Sequence, residues 1–159
     1  MQDYICHCDV CQRHKAECTS PADLLQPLPI PTKVWSDISM DFVDGLPTSM
    51  GKSTILVVVD WLSKYVHFIP ISHPYTTQSI AKEFFDHVFR LHGLPESIVC
   101  DCDPTFTSKF WEELFCLNGT SFNFSTTSHP QTEVVNRTLE MYLQCFSSPH
   151  PKEWVKWIS

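Results

Sequence analysis

The fold is decided by residues 38–71, ISMDFVDGLPTSMGKSTILVVVDWLSKYVHFIPI. The first part, ISMDFV, alternates as a half-buried strand does, with Ile38, Met40 and Phe42 on one face. Asp41 therefore points to the other face. The run STILVVVDW is β-branched and apolar enough for a strand buried on both faces, and YVHFIPI predicts a third strand.

Helices and short strands follow this meander. Thr76 or Thr77 can cap a helix that runs to about Arg90. Its predicted apolar stripe consists of Ile80, Phe84, Val88 and Leu91. The segment SIVC predicts a fourth strand that leads into Asp101, and Ser108 starts a second helix. SFNF predicts a fifth strand, and the last long helix runs from about Glu133 to Phe146.

Three antiparallel strands followed by alternating helix and strand predict a five-stranded mixed α/β sheet with helices on both sides. The chain has 159 residues, enough for one compact domain. No apolar stretch approaches the roughly 20 residues that a bilayer span needs, and no secretory signal is visible. These features predict an intracellular protein, nuclear or cytoplasmic, with no membrane partner and with reduced cysteines.

The net charge of −7 argues against tight electrostatic binding of nucleic acid. Neutralising phosphates requires clustered Lys and Arg. The objection weakens if acidic groups hold cations and if basic DNA-contacting segments lie outside the chain.

Three acidic residues stand out by position, because Asp41, Asp101 and Glu133 each adjoin a predicted buried element. Phosphoryl transfer on DNA uses divalent ions about 3.5–4 Å apart, and Mg²⁺ prefers oxygen ligands. The three residues can equally be ordinary surface carboxylates among the eighteen of the chain. Their spacing alone leaves both interpretations open.

The surrounding motifs resemble the integrase core of Gypsy-type LTR retrotransposons over nearly the whole of residues 4–159. The matching strings are PLPIPTKVWSDISMDFVDGLP, GKSTILVVVDWLSKYVHFIP, LHGLPESIVCDCDPTFTSKFWEELF and NFSTTSHPQTEVVNRTLEMYLQCF. The resemblance implies a ribonuclease H-like fold and a site that binds Mg²⁺ or Mn²⁺ through Asp41, Asp101 and Glu133. It further implies homo-oligomers that trim DNA ends and then join the 3′ hydroxyl to target DNA.

The first residues are similar to the end of the family's HHCC zinc module, whose last two ligands match Cys8 and Cys11. The two histidines of that module have no counterpart here, although a closed zinc site needs four ligands. His7 and His14, or Cys6 and Cys18, are alternative ligands. We expect a half-site that does not retain Zn²⁺, because zinc affinity depends on the ligand count.

The predicted organisation has three parts. Residues 1–20 are a remnant of the zinc module, and residues 21–33, with four prolines, form a linker. Residues 34–159 form the catalytic core, which is truncated at its C-terminal end by comparison with the family.

The loop before Glu133 departs from the family pattern, which runs HPQTDGQTE where this chain has HPQTE. The interval between Asp101 and Glu133 is 31 residues (133 − 101 − 1), against about 35 in the motif. The loss either shifts the glutamate by about 6 Å along the helix axis or removes the first turn while preserving its face. Cys102 also stands where the family usually has arginine. Both departures predict a decayed copy.

Further candidates for DNA contact lie around the acidic residues: Lys64, His129, Gln131, Asn136 and Arg137. The alternatives without a function in DNA binding are a loop-forming role for His129 and Gln131 and simple exposure to solvent for Lys64 and Arg137.

Three functions fit these observations to different degrees. The first is an integrase that processes and joins DNA ends. The second is a catalytically inactive ribonuclease H-like module that binds nucleic acid or protein. The third is a ribonuclease or resolvase of the same fold, which the matched strings disfavour. Convergence of the three carboxylates distinguishes the first two.

Overall fold

The structure is a computed structural model that describes residues 31–100, 105–116, 119–124, 130–147 and 150–158. The predicted zinc-module remnant, with Cys8 and Cys11, lies outside the described residues, as does nearly all of the predicted linker. Asp101 and His129 also lie outside them.

Five strands form one mixed sheet: β1 (Asp37–Val43), β2 (Thr54–Asp60), β3 (Val66–Ile71), β4 (Ser97–Cys100) and β5 (Ser121–Phe124). Their order across the sheet is β3-β2-β1-β4-β5. β1, β2 and β3 pair antiparallel, whereas β4 runs parallel to β1 and to β5. The predicted α/β architecture is thus confirmed, with β1 at the centre.

The helices comprise α1 (Thr77–Phe84), α2 (Arg90–His92), α3 (Lys109–Cys116), α4 (Pro130–Ser147) and a 3₁₀ helix at Pro151–Trp157. Thr76 caps α1, as predicted, since its Oγ1 accepts a hydrogen bond from the Ser79 backbone N–H at 3.2 Å. In return, Ser79 Oγ accepts from the Thr76 N–H at 2.9 Å. The pair is a reciprocal capping box, which satisfies two amides at the start of the helix. In the part of the chain that the structure describes, no helix has the length and apolar character needed to cross a membrane.

Two apolar layers cover the two faces of the sheet. All seven residues of β2 are buried, as its apolar run predicts. The layer against α1 and α3 contains Ile38, Met40, Leu56, Val58, Ile80, Phe84, Val88, Ile98, Phe106, Trp111 and Phe115. The layer against α4 and the 3₁₀ helix contains Val43, Ile55, Val57, Val59, Leu139, Leu143 and Trp154. The predicted alternation along β1 is confirmed, and it directs Ser39 and Asp41 towards α4.

The predicted inward position of Leu91 is wrong, because the helix changes pitch before reaching it. Phe85–Phe89 form a π-helical segment between α1 and α2. Wider turns rotate the following residues around the axis, and Leu91 is 67% exposed. His92 takes the inner position instead, and its ring stacks on Trp35 with centroids 3.9 Å apart.

His92 also contacts the edge strand β3. Its Nε2 lies 2.9 Å from Nε2 of His67, so one ring donates a hydrogen bond and the other accepts it. Burial and the neighbouring His92 lower the pKa of His67 below its ordinary value. Burial also lowers the pKa of His92, against an opposing influence of Asp60. The histidine pair thus joins the end of the helix to the sheet edge.

The change of pitch predicts opposite outcomes for two alanine substitutions. Phe84 is fully buried, and its ring meets Phe115 edge to face at 5.8 Å. Phe84→Ala should therefore lower the free energy of unfolding by about 3–5 kcal/mol, measured by urea denaturation. Leu91→Ala should change it by no more than about 0.5 kcal/mol. A large loss with Leu91→Ala would contradict the π-helical segment.

Candidate functional site

Asp41 lies on the central strand, half-buried, on the face that α4 covers. Its Oδ1 accepts a hydrogen bond from the backbone N–H of Phe42 at 2.8 Å. Its Oδ2 accepts one from Nδ2 of Asn136, also at 2.8 Å. Hydrogen bonds to a carboxylate are about twice as strong as neutral ones. The helix thus holds the carboxylate from the side opposite its own strand.

A second polar contact joins the same two elements two residues earlier on the strand. Thr132 Oγ1 donates a hydrogen bond to Ser39 Oγ at 2.7 Å. Both side chains are 1% exposed. Ser39 and Thr132 therefore fasten the first turn of α4 to β1 beneath the surface.

Glu133 follows Thr132 in the first turn of α4 but turns its carboxylate outward. Oε1 lies 3.2 Å from Nη2 of Arg137, and the Glu133 and Arg137 side chains are 59% and 52% exposed. An exposed pair four residues apart on a helix stabilises by only about 0.3–0.5 kcal/mol. The contact leaves Glu133 free to adopt another rotamer at little cost.

The residue before Asp101, Cys100, has a defined partner in the sheet. Cys100, the last residue of β4, pairs with Met40 of the parallel neighbour β1. Asp101 follows Cys100 directly in the sequence. Its own position lies outside the described residues.

The structure brings Asn136 to Asp41 but places Lys64 elsewhere. Asp41 pairs with Val57, whereas Lys64 lies in the turn beyond the far end of β2, where its Nζ donates to the Trp61 carbonyl at 2.6 Å. β2 is antiparallel to β1, so its end lies beside the start of β1. Lys64 therefore does not adjoin Asp41, and its contact with DNA stays a prediction.

The other predicted DNA contacts are Gln131, His129 and Arg137. Gln131 belongs to the first turn of α4, but its side chain is not among those described, and His129 lies outside the described residues. Arg137 is exposed on the polar flank of α4 and available to a partner.

Asn136 has a role that the sequence did not reveal, because it was predicted only as a DNA contact. Its Nδ2 is committed to Asp41, while its Oδ1 is buried and has no hydrogen-bond partner in the part of the chain described. An unpaired buried polar atom costs about 1–3 kcal/mol. An amide oxygen left unpaired beside a carboxylate indicates a place for a cation or a polar ligand. Among the described residues, no group of three or more His, Cys, Asp or Glu side chains is placed to hold a metal ion.

Comparison with solved structures identifies the class of fold. The catalytic core domain of HTLV-2 integrase in complex with magnesium is similar in two structures. The dimeric form matches with a TM-score of 0.60 and 17% identity, over 76% of this chain and 77% of that one. The trimeric form matches with a TM-score of 0.61 and 18% identity, over 78% of this chain and 80% of that one. The fold is therefore that of integrase catalytic cores, which is ribonuclease H-like.

Comparison of sequences identifies the family. The integrase core domain family matches residues 31–130, and the chain belongs to it. The transposon Tf2-3 and Tf2-4 polyproteins of Schizosaccharomyces pombe are each 36% identical to it over 163 residues. These alignments cover 100% of this chain but only 12% of each polyprotein. The resemblance seen in the sequence motifs is thereby confirmed.

The contact between Asn136 and Asp41 should be measurable in the stability of the chain. Asn136→Ala removes a hydrogen bond to a half-buried carboxylate and should lower the free energy of unfolding by about 1–2 kcal/mol. Arg137→Ala, the neighbouring control, removes only an exposed ion pair and should cost less than about 0.5 kcal/mol. Equal losses in urea denaturation would show that the Asn136 contact contributes nothing specific.

Proposed function

We propose that the chain is the core of a retroelement integrase that trims DNA 3′ ends and joins them to target DNA in a divalent-metal-dependent reaction. Its acidic ligands are Asp41, Asp101 and Glu133. The observation that carries the proposal is the placement of Asp41 on the central strand, held by Asn136 from the helix that also carries Glu133. Membership of the integrase core domain family supports it.

The position of Asp101 in the sequence supports its assignment. Because Met40 pairs with Cys100 in a parallel register, the next residue along each strand is an aspartate. Neighbouring strands are about 4.8 Å apart. Metal ions that act together on DNA are about 3.5–4 Å apart, so we propose that Asp101 supplies the second carboxylate of the site.

The described residues fit a hard divalent cation. Asp41 offers carboxylate oxygens, and the unpaired Oδ1 of Asn136 is an amide oxygen, both of which Mg²⁺ and Mn²⁺ accept. When bound, such ions would orient the attacking oxygen and stabilise the leaving one. Asn136 orients the Asp41 carboxylate through its Nδ2. Glu133 can turn from Arg137 towards the site, because the exposed ion pair holds it weakly.

DNA is the proposed partner. Because DNA phosphates and this chain are both negatively charged, binding requires positive charge from another source. The net charge is −7, so the bound cations and segments beyond this chain would supply the attraction to phosphate. The chain spans about an eighth of the polyproteins that it matches, which leaves room for such segments. His129, Gln131 and Arg137 are the proposed contacts near the site, with Lys64 further away. We further propose that the core acts as a homo-oligomer.

A catalytically inactive binding module is the second candidate, and the shortened loop favours it. The alignment with the Tf2-3 polyprotein extends over 163 residues against 159 in this chain, which is consistent with four absent residues (163 − 159 = 4). The family motif predicts their place before Glu133. Because β1 is held by its pairing with β2 and β4, we expect weak metal binding to persist while DNA joining is poor.

Repair of the loop tests the two candidates. Inserting Asp-Gly-Gln-Thr after Thr132 should raise joining of a labelled end oligonucleotide in Mn²⁺ by at least about tenfold, since misplacement near a reacting centre can cost about 100-fold. The repaired protein carrying Asp101→Asn should not join. All variants carry the segments that flank this region in the polyprotein relatives.

Two results of the joining assay would count against parts of the proposal. Robust joining by the unrepaired chain would contradict the inferred decay. Absence of joining after repair would favour the inactive module. A Mn²⁺ titration of each protein by calorimetry separates loss of metal binding from loss of DNA joining.

We also propose that residues 1–20 are a zinc-module remnant without a stable metal, followed by the linker at 21–33 and the core from 34 to 159. A chain dialysed against metal-free buffer should therefore retain no stoichiometric Zn²⁺ by atomic absorption. Stoichiometric retention that disappears with Cys11→Ser would show that Cys8 and Cys11 belong to a complete site. Cys145→Ser, in α4, is the matched thiol control.

A further inference from the structure

The contact between Ser39 and Thr132 is an interaction of two buried hydroxyl groups in the interface between β1 and α4. The oxygens are 2.7 Å apart, and both side chains are 1% exposed. Further along α4, Leu139 and Leu143 pack in the same apolar layer as Val57. Apolar packing is non-directional. The hydroxyl pair therefore contributes a directional restraint at this end of the helix.

The two polar contacts, Ser39–Thr132 and Asp41–Asn136, are separated by nearly equal distances along the strand and along the helix. Ser39 and Asp41 are two residues apart on β1, which is about 6.6 Å. Thr132 and Asn136 are four residues apart on α4, which is about 6 Å. Both pairs can therefore form together when α4 runs in the same direction as β1, as the two hydrogen bonds require.

A slide of α4 would break this match. Moving the helix by one residue shifts it by about 1.5 Å and turns its side chains by about 100°. Thr132 would leave Ser39, and two buried hydroxyls would lose their partner, each at a desolvation cost. The same slide would take Asn136 away from Asp41 and displace Glu133, which follows Thr132 directly.

We infer that the Ser39–Thr132 hydrogen bond positions α4, by fixing the register at which the helix presents Asn136 to Asp41 and carries Glu133 in its first turn. Thr132 and Ser39 are positioning residues, because neither is proposed to touch metal or DNA. The inference rests on the proposed function for its consequence in metal binding.

The chain offers a matched set of variants. Thr132→Val and Ser39→Ala each remove one hydroxyl and leave the other buried without its partner, whereas Thr132→Ser keeps the hydroxyl. The double variant Ser39→Ala/Thr132→Val removes both. Thr138→Val is the control, because Thr138 is an exposed threonine of the same helix whose Oγ1 donates to the Val134 carbonyl at 2.7 Å.

Two measurements on the full 159-residue chain separate positioning from stability. The first is Mn²⁺ affinity, followed by paramagnetic broadening of the Asn136 side-chain amide signal in NMR spectra. Thr132→Val and Ser39→Ala should weaken Mn²⁺ affinity about tenfold, because residues that orient metal ligands contribute to metal affinity without contacting the metal. Thr132→Ser and Thr138→Val should leave it unchanged. The second is hydrogen exchange of the Glu133 and Asn136 backbone amides without metal, which only the weakened variants should accelerate.

The double variant is decisive. Replacing both partners by apolar groups can restore stability, because no hydroxyl remains buried and unpaired. We expect its urea midpoint to recover while its Mn²⁺ affinity stays low and its amide exchange stays fast. Recovery of affinity and slow exchange together with stability would overturn the inference.

The exchange measurement also separates this inference from the proposed function. If the unsubstituted chain shows no Mn²⁺ broadening at Asn136, the proposed metal site is wrong. Faster exchange in Thr132→Val but not in Thr138→Val would still support the positioning role. Equal exchange in these two variants would refute it, whatever the metal result.

Discussion

Pairing of β1 on both of its edges is the constraint on which the rest of the structure depends. β1 is hydrogen-bonded to β2 on one side and to β4 on the other, so it cannot slip without losing both registers. A slip of one residue would move every side chain to the opposite face. Asp41 would then enter the apolar layer around Phe84 and Trp111, where burying a charge is costly. Strand pairing alone thus fixes the position of the Asp41 carboxylate along the sheet and the face to which it points.

The two faces of the sheet differ in the side chains that cover them. The face towards α1 and α3 is filled by stacked and edge-to-face rings, such as Trp111 on Phe115 with centroids 5.1 Å apart. The opposite face combines an apolar layer with the polar pairs at Ser39 and Asp41. On that face the buried Oδ1 of Asn136 has no hydrogen-bond partner among the described residues. Asp41 is the acidic residue of this polar layer, and its carboxylate is held by Asn136.

Local pattern in the sequence predicted the strands, the cap at Thr76 and the direction of Asp41, because each depends on neighbours within a few residues. The prediction for Leu91 was wrong, since periodicity assumes a constant pitch and the π-helical segment alters it. The partner of Asp41 could not be predicted, because Asn136 lies 95 positions away along the chain. Ser39 and Asp41 are two residues apart on β1, and their partners Thr132 and Asn136 are four apart on α4. This matched spacing can be recognised only when β1 and α4 are known to be in contact. The roles of Asp101 and Glu133 rest on family motifs rather than on periodicity.

The hydrogen bond between Ser39 and Thr132 spans 93 positions of sequence, and this distance has a consequence for how the chain folds. Closing a long loop costs more entropy than closing the short turns of the β1–β2–β3 meander. Contacts close in sequence generally form faster than distant ones, and chains emerge from the ribosome N-terminal end first. We therefore expect a newly made chain to complete its antiparallel half while β1 still awaits α4. The Asp41 carboxylate is then in place long before its supporting helix, so its contact with Asn136 forms only when synthesis has passed α4.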